Sequence, residues 1–147
     1  MLSGGAKRRS RSTERDYSHR SLFEKLGVTA DARVALVGPH DDAFVTDLNL
    51  RLAMAATPKP RAKYDLVFVR VDHPTDLKRI ASSVKYLKPN GVLWAIHPKG
   101  RGASPTDSEV RHAGLDAGLV DNKISAYSAT HTATRYVIPL DKRVTSP

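Results

Sequence analysis

Three histidines, each beside or near a proline, are the residues of this chain whose types suggest chemistry: Pro39-His40-Asp41-Asp42, Asp72-His73-Pro74-Thr75 and His97-Pro98-Lys99. His40, His73 and His97, with Asp41, Asp42 and Asp72, offer the imidazole and carboxylate donors of a metal site. No two of these histidines lie four residues apart, so only the fold can bring them together, and the bland reading is three polar loop residues with no metal. A second candidate is the run His97-Pro98-Lys99-Gly100-Arg101-Gly102. Lys99 and Arg101 supply positive charge, and Gly100 and Gly102 let backbone approach a ligand closely. The free N–H groups of a helix starting near Pro105 and Thr106 point to the same place. By composition it is an anion candidate, or equally a solvated, flexible basic turn, without the spacing of a nucleotide-binding P-loop. The chain has no cysteine, which excludes disulfides, thiolate zinc sites and cysteine nucleophiles. No serine stands in a nucleophile elbow, so no catalytic residue is assigned.

The elements that must position these loops follow from hydrophobic pattern. Arg33 to Gly38, Tyr64 to Val71 and Val92 to Ile96 are short, nearly continuous apolar runs, as expected of parallel strands buried on both faces. Each is followed by a helical pattern. Phe44, Val45, Leu48, Leu52 and Ala55 recur at helical spacing up to Thr57-Pro58. Leu77, Ile80, Ala81, Val84 and Leu87 do so up to Lys88-Pro89-Asn90-Gly91, and Val110, Ala113, Gly114 and Ala117 up to Gly118. The last helix can begin at Ser104-Pro105, or one register later with Thr106 and Glu109 as a capping box. Before the first strand, Tyr17 to Gly27 reads as a short helix with Leu22, Phe23 and Leu26 turned inward, covering one edge of the sheet. Leu119 to Tyr127 and Thr132 to Leu140 read as an antiparallel hairpin at the end of the sheet. The expected fold class is α/β: a three-layer Rossmann-like sandwich of three parallel strands with crossover helices and a C-terminal antiparallel hairpin. In such sheets ligands bind outside the carboxyl ends of the strands. Gly38 to Asp42, Asp72 to Thr75 and His97 to Thr106 should therefore share one face. Trp94, within an apolar strand, reads as core.

With 147 residues the chain fits one domain, expected over residues 17 to 140, between a basic tail at 1 to 16 and a loose tail at 141 to 147. Lys and Arg number 24 against 15 Asp and Glu, for a net charge of +9, which favours anionic ligands, acidic partners or nucleic acid. The stretch from Met1 to Asp16 is rich in Gly, Ser and Arg and reads as disordered. Its Lys7, Arg8, Arg9, Arg11 and Arg15 suit a phosphate-binding arm for nucleic acid, but without aromatics to stack on bases a solubilising extension is the preferred reading. No apolar run reaches the roughly 18 residues of a membrane span, and no apolar region follows the basic start, so a cytoplasmic protein without membrane partners is expected.

The succession of strands and helices with a terminal hairpin resembles the second half of a class I S-adenosylmethionine-dependent methyltransferase domain, where a segment like LKPNGVLWAI leads into the fifth strand. More closely, YSHRSLFEKLGV, YDLVFVRV, NGVLWAIHPKG with SPTD, and AGLVDNKISAYSATHTATRYV resemble the bacterial family catalogued as domain of unknown function 3052. The resemblance covers residues 17 to 138 and implies fold and kinship; His97 stands where such proteins commonly carry an aromatic residue. Binding S-adenosylmethionine by the usual route needs a glycine-rich first loop and a downstream acid for the ribose hydroxyls. Here the first loop reads VGPHDDAF, with one glycine and a proline, and no acid ends a second strand before Tyr64. The leading expectation is a non-catalytic domain that binds an anionic ligand or acidic partner at its strand-end loops, its cofactor unknown. A divergent methyltransferase and a nucleic-acid protein acting through its tail are the alternatives.

Overall fold

The computed structural model describes residues 21–143; the readings of residues 1–20 and 144–147, among them the arm with Lys7, Arg8, Arg9, Arg11 and Arg15, lie outside the described residues. The apolar runs form strands β1 (Val34–Val37), β2 (Tyr64–Arg70) and β3 (Leu87–Pro98). They pair in parallel, Val34 opposite Leu66 through Val37 opposite Val69, and Leu66 opposite Val92 through Arg70 opposite Ile96. The hairpin of β4 (Val120–Ala126) and β5 (His131–Val137) adds β5 antiparallel to β3, giving the order β1-β2-β3-β5-β4.

Residue alternation along these strands divides the core into two layers. Leu66, Phe68, Trp94 and Ile96 pack with Phe23 and Leu26 and with Phe44 and Leu48 of helix α1 (Asp42–Arg51). Val67, Val69, Leu93 and Ala95 pack with Ile80 of α2 (Lys78–Ser83) and Val110 of α3 (Asp107–Asp116). Helices thus cover both faces, which is why the strands read as continuous apolar runs. Among the described residues no helix is long and apolar enough to cross a membrane.

The structure revises several boundaries. Helical residues 21–25 end at Gly27, whose φ of +76° is the left-handed stop that glycine adopts without strain. The Leu26 carbonyl accepts from the Trp94 indole N–H at 3.0 Å, so this turn lies over the face of the middle strand rather than at an edge. Helix α1 ends at Arg51, short of Thr57: Asn49 Oδ1 captures the Ala56 N–H at 2.8 Å, and Thr57 then forms an isolated parallel bridge with Ala35. The stripe from Leu77 to Leu87 is not one helix but 3-10 turns at Pro74–Leu77 and Val84–Tyr86 around the short α2. β3 begins at Leu87, opposite Tyr64, and four residues of it stand against Asp65 alone. Gly91 makes this compression feasible, because a Cβ there would lie 2.9 Å from the Tyr64 carbonyl oxygen. In β4, Asn122 is an extra residue: Asp121 faces Tyr136 and Lys123 faces Arg135, the next residue along β5.

Helix α3 takes the later of its two possible starts. Thr106 Oγ1 accepts from the Glu109 N–H at 3.1 Å while Glu109 Oε1 accepts from the Thr106 N–H at 2.9 Å. Its Gly114 touches the ring of Tyr136, so that a Cβ would fall 2.1 Å from Cε1, and the Tyr136 hydroxyl donates to the Val110 carbonyl at 2.6 Å. The helix and β5 are therefore locked at one point by the smallest residue and the largest.

Candidate functional site at the strand ends

Parallel pairing brings the carboxyl ends of β1, β2 and β3 to one side of the sheet, and Pro98 opposite His131 brings the start of β5 there too. The chain also diverges at β1: Thr57 lies on its outer edge, β2 on its inner one. A point of divergence of that kind is where open α/β sheets hold ligands.

Arg70 occupies it. Its side chain is 9% exposed, and a cation so placed needs partners. Nε donates to both Asp72 oxygens at 3.0 and 3.1 Å, and Nη1 to Asp41 Oδ2 at 3.2 Å. Tyr127 O–H donates to the same Asp41 oxygen at 3.2 Å. His131 Nε2 lies 2.8 Å from Asp72 Oδ1, and its Nδ1 lies 2.8 Å from Thr130 Oγ1. A carboxylate accepts only, so Nε2 carries the proton and Nδ1 accepts from the Thr130 hydroxyl; the tautomer is assigned from this network. Arg70 Nη2, 3.1 Å from the same Nε2, is then a close neighbour without a hydrogen bond to it. Burial of Asp72 works against its charge, but the hydrogen bonds from His131 and Arg70 outweigh it and hold the carboxyl below its ordinary range. Burial likewise opposes the charge of Arg70, and its two aspartates outweigh that, so it is more firmly protonated than a free arginine. The Tyr127 phenol is pushed up, first by burial and then by the Asp41 charge.

A second arginine reaches the end of β2 from the helical side. Arg79 of α2 donates from Nη1 to the Arg70 carbonyl at 2.9 Å and pairs through Nη2 with Asp76 at 3.3 Å. Asp76 Oδ2 accepts from the N–H groups of Asp72 and His73 at 3.0 and 3.1 Å, fixing the turn after β2. Gly38 has φ +84°, and a Cβ there would sit 2.8 Å from Arg79 Nη1. The lone glycine of the first loop thus makes room for this guanidinium.

The three histidines reach this end of the sheet but have separate tasks. His40 Nε2 lies 3.2 Å from the Val37 carbonyl and 3.0 Å from that of Phe68, so it bears the proton, and burial lowers the pKa. His97 lies inside β3, fully buried, rather than in the loop that follows. Its Nδ1 faces the Pro98 carbonyl at 3.3 Å, which leaves Nε2 to accept from the Thr134 hydroxyl at 2.8 Å; burial lowers its pKa too. His73 is exposed and offers its backbone N–H to Asp76, and Asp42 is the exposed first residue of α1. Among the described residues no three His, Cys, Asp or Glu side chains are grouped to hold a metal ion.

Lys99, Gly100, Arg101, Gly102 and Thr106 form the neighbouring exposed loop, with φ of +97° and +82° at the two glycines. The Lys99 N–H donates to the Thr130 carbonyl at 3.1 Å, which ties this loop to the turn carrying His131. Glu109 already takes the Thr106 N–H, and Asp107 adds a second carboxylate to the first turn, so the positive end of α3 is largely answered internally. Neither Lys99 nor Arg101 makes a side-chain hydrogen bond or ion pair with a described residue.

Arg70 and His131 escape the sequence reading. Arg70 left a signal, a lone cation in the otherwise apolar run YDLVFVRV, which a strand buried on both faces tolerates only with anions at hand. His131 left none, since only the pairing of β5 with β3 carries it to Asp72.

No protein-family model matches the sequence, and no curated protein is significantly similar to it. Solved structures are similar in fold. An S-adenosylmethionine-dependent methyltransferase from Aquifex aeolicus has a TM-score of 0.61 at 14% identity, over 82% of this chain and 89% of that one. An O-methyltransferase family protein from Burkholderia thailandensis has a TM-score of 0.59 at 12% identity, over 80% of this chain but only 54% of its own length. The [4+2]-cyclase SpnF has a TM-score of 0.56 at 9% identity, covering 85% and 82%. Identities this low carry the fold alone, and a cyclase among the similar structures illustrates that the fold does not dictate the reaction. The five-stranded mixed sheet with helices on both faces is an α/β fold similar to that of these S-adenosylmethionine-dependent methyltransferase structures.

Proposed function

We propose that this domain binds an anionic small molecule, or the acidic surface of a partner, at its strand-end loops and does not transfer methyl groups. One observation carries the reading: charge pairing at this face is unequal. Arg70 and Tyr127 engage Asp41, Arg70 and His131 engage Asp72, Arg79 engages Asp76, and Glu109 caps its own helix. Among the described residues Lys99 and Arg101 remain as cations without such partners, on a glycine loop tethered beside His131. Exposed cations of this kind gain most from an incoming anion, because no internal pair has to be broken first. The test is thermal unfolding of the full chain with inorganic pyrophosphate and with citrate. Stabilisation that disappears in Lys99→Ala/Arg101→Ala supports the reading. Undiminished stabilisation in that variant removes the loop from it.

The fold favours a second reading, a divergent methyltransferase. The residues at the end of β1 do not fit S-adenosylmethionine by the usual route. Arg79 fills the approach to Gly38, and past Thr57 on the outer side of β1 the chain runs Pro58-Lys59, with no acid to meet a ribose. Calorimetry with millimolar S-adenosylmethionine decides between them: no heat is expected, and saturable binding would reinstate the enzyme. Kinship with the 3052 family belongs to the same proposal and rests on the segments quoted above.

A further inference from the structure

A different group of cations surrounds a cavity at the far end of the sheet. Beside the outer edge of β1, near the amino ends of β1 and β2, a cavity of about 390 Å³ is lined by Arg33, Lys59 and Arg61, with Val34, Met54 and Tyr64 among its walls. Thr57 is the only described residue that pairs with this edge of β1, so the space stays open where a further strand would otherwise lie.

Its electrostatics are one-sided. The side chains of Arg33, Lys59 and Arg61 make no hydrogen bond or ion pair with a described residue. Among the described residues no acid lines the cavity, and Asp65, next to Tyr64 in β2, is committed elsewhere: Oδ2 accepts from the Arg33 backbone N–H at 2.8 Å, and Oδ1 pairs with Lys88 at 3.1 Å. The cavity also has a buried donor. Tyr64 is only 5% exposed, and its hydroxyl oxygen accepts from the Arg61 N–H at 3.1 Å. The phenolic proton then has no acceptor among the described residues, although a buried hydroxyl ordinarily finds one. Met54, also in the lining, is 54% exposed and adds apolar surface.

We propose that this cavity is a binding site for a phosphate ester of about nucleotide size. Arg33, Lys59 and Arg61 take the phosphate oxygens, Tyr64 O–H donates from the floor, and Met54 with Val34 covers the organic portion. Three cations and one buried neutral donor suit a multiply charged, oxygen-rich anion better than a single carboxylate, and guanidinium groups present the fork that phosphate accepts. The volume lies within the range of small-molecule sites, about 300–1,000 Å³. This site lies at the opposite end of the sheet from Lys99 and Arg101 and stands independently of the function proposed above.

The experiment starts from full-length Lys99→Ala/Arg101→Ala protein, so that failure of the strand-end reading cannot mask the outcome. Adenosine diphosphate and inorganic pyrophosphate are titrated calorimetrically, alongside a twelve-residue single-stranded oligonucleotide that offers the same phosphates on a polymer. Both small ligands are expected to bind, and adding Arg33→Gln/Arg61→Gln should weaken them at least about tenfold. Tyr64→Phe, which keeps the buried ring, should weaken them about threefold or more. Absence of binding at millimolar concentration, or equal affinity in the Arg33→Gln/Arg61→Gln and Tyr64→Phe variants, overturns the proposal. Binding of the oligonucleotide alone overturns the small-ligand assignment and gives the surface to nucleic acid.

Discussion

Replacing Gly114 with alanine sets two physical rules against each other. In an exposed helix interior the change stabilises by about 1 kcal/mol, because alanine loses less backbone freedom on folding. In α3 the new methyl would lie 2.1 Å from Tyr136 Cε1 and 2.6 Å from Cδ1 and Cζ. Carbon contacts settle near about 3.5–4.0 Å, so helix and ring must separate by roughly 1.5 Å. Tyr136 has nowhere to go, being fully buried with its hydroxyl fixed on the Val110 carbonyl at 2.6 Å. Overpacking costs about 1–3 kcal/mol, and losing a buried hydroxyl's hydrogen bond about 1–3 kcal/mol more. Set against the propensity gain, the net is a destabilisation of about 1–5 kcal/mol, which at the middle of that range lowers the melting temperature by about 10 °C. Urea unfolding followed by the fluorescence of Trp94, the single tryptophan and itself buried, measures it directly. An alanine variant as stable as the parent, or more so, would refute the packing argument, since propensity alone predicts that sign.

Other expectations concern charge and backbone. His40 and His97 both have pKa values lowered by burial, so below the ordinary value of about 6.5 the unfolded chain binds protons the native one refuses. Unfolding free energy should therefore fall between pH 7.5 and 5, less steeply in His97→Gln; a flat profile in the parent contradicts this. Asp72, whose pKa is lowered, contributes stability above about pH 4 that is lost as pH falls through its depressed native value. Arg70→Met should weaken that contribution and cost about 1–3 kcal/mol at pH 7, discounted for the partly exposed aspartates, as urea midpoints across pH will show. Gly91→Ala, whose Cβ would press on the Tyr64 and Lys88 backbones, should cost about 1–3 kcal/mol in the same assay.

The layout of the sheet was legible because burial on both faces leaves a composition that little else leaves: VALV, YDLVFV and VLWAI have no solvent side. Element ends were legible where the signal is local, as at Gly27, Gly118 and the Thr106–Glu109 box. They failed where a side chain far from its target decides. Helical spacing carries the eye to Ala55, yet Asn49 takes the Ala56 N–H and the edge of β1 takes Thr57, so tertiary bonds replace the helical ones. Pro89-Asn90-Gly91 reads as punctuation, yet the chain pairs Leu87 with Tyr64 before them and Val92 with Leu66 after them. The loops chosen for the candidate site do reach one end of the sheet. The residues that meet there, Arg70 and His131, come from a strand and a hairpin and not from those loops, because adjacency across β2, β3 and β5 is a property of topology and not of spacing.

The extra residue of β4 bears on how the molecule keeps to itself. In an unbroken strand Val120 and Ile124, with Asn122 between them, would share a face, and the outermost strand would offer neighbours both exposed apolar side chains on one side of its outer edge. With Asn122 inserted, Val120 stays level with Val137 and Ile124 moves level with Thr134, onto opposite faces. Asp121 is drawn toward α3 by Arg111 at 3.1 Å, and Asn122 accepts from Arg135 at 3.0 Å, which holds the irregularity in place. An incoming strand therefore meets a broken ladder and no continuous greasy strip. In a chain with a wide apolar sheet, one misplaced asparagine guards against fibrous stacking.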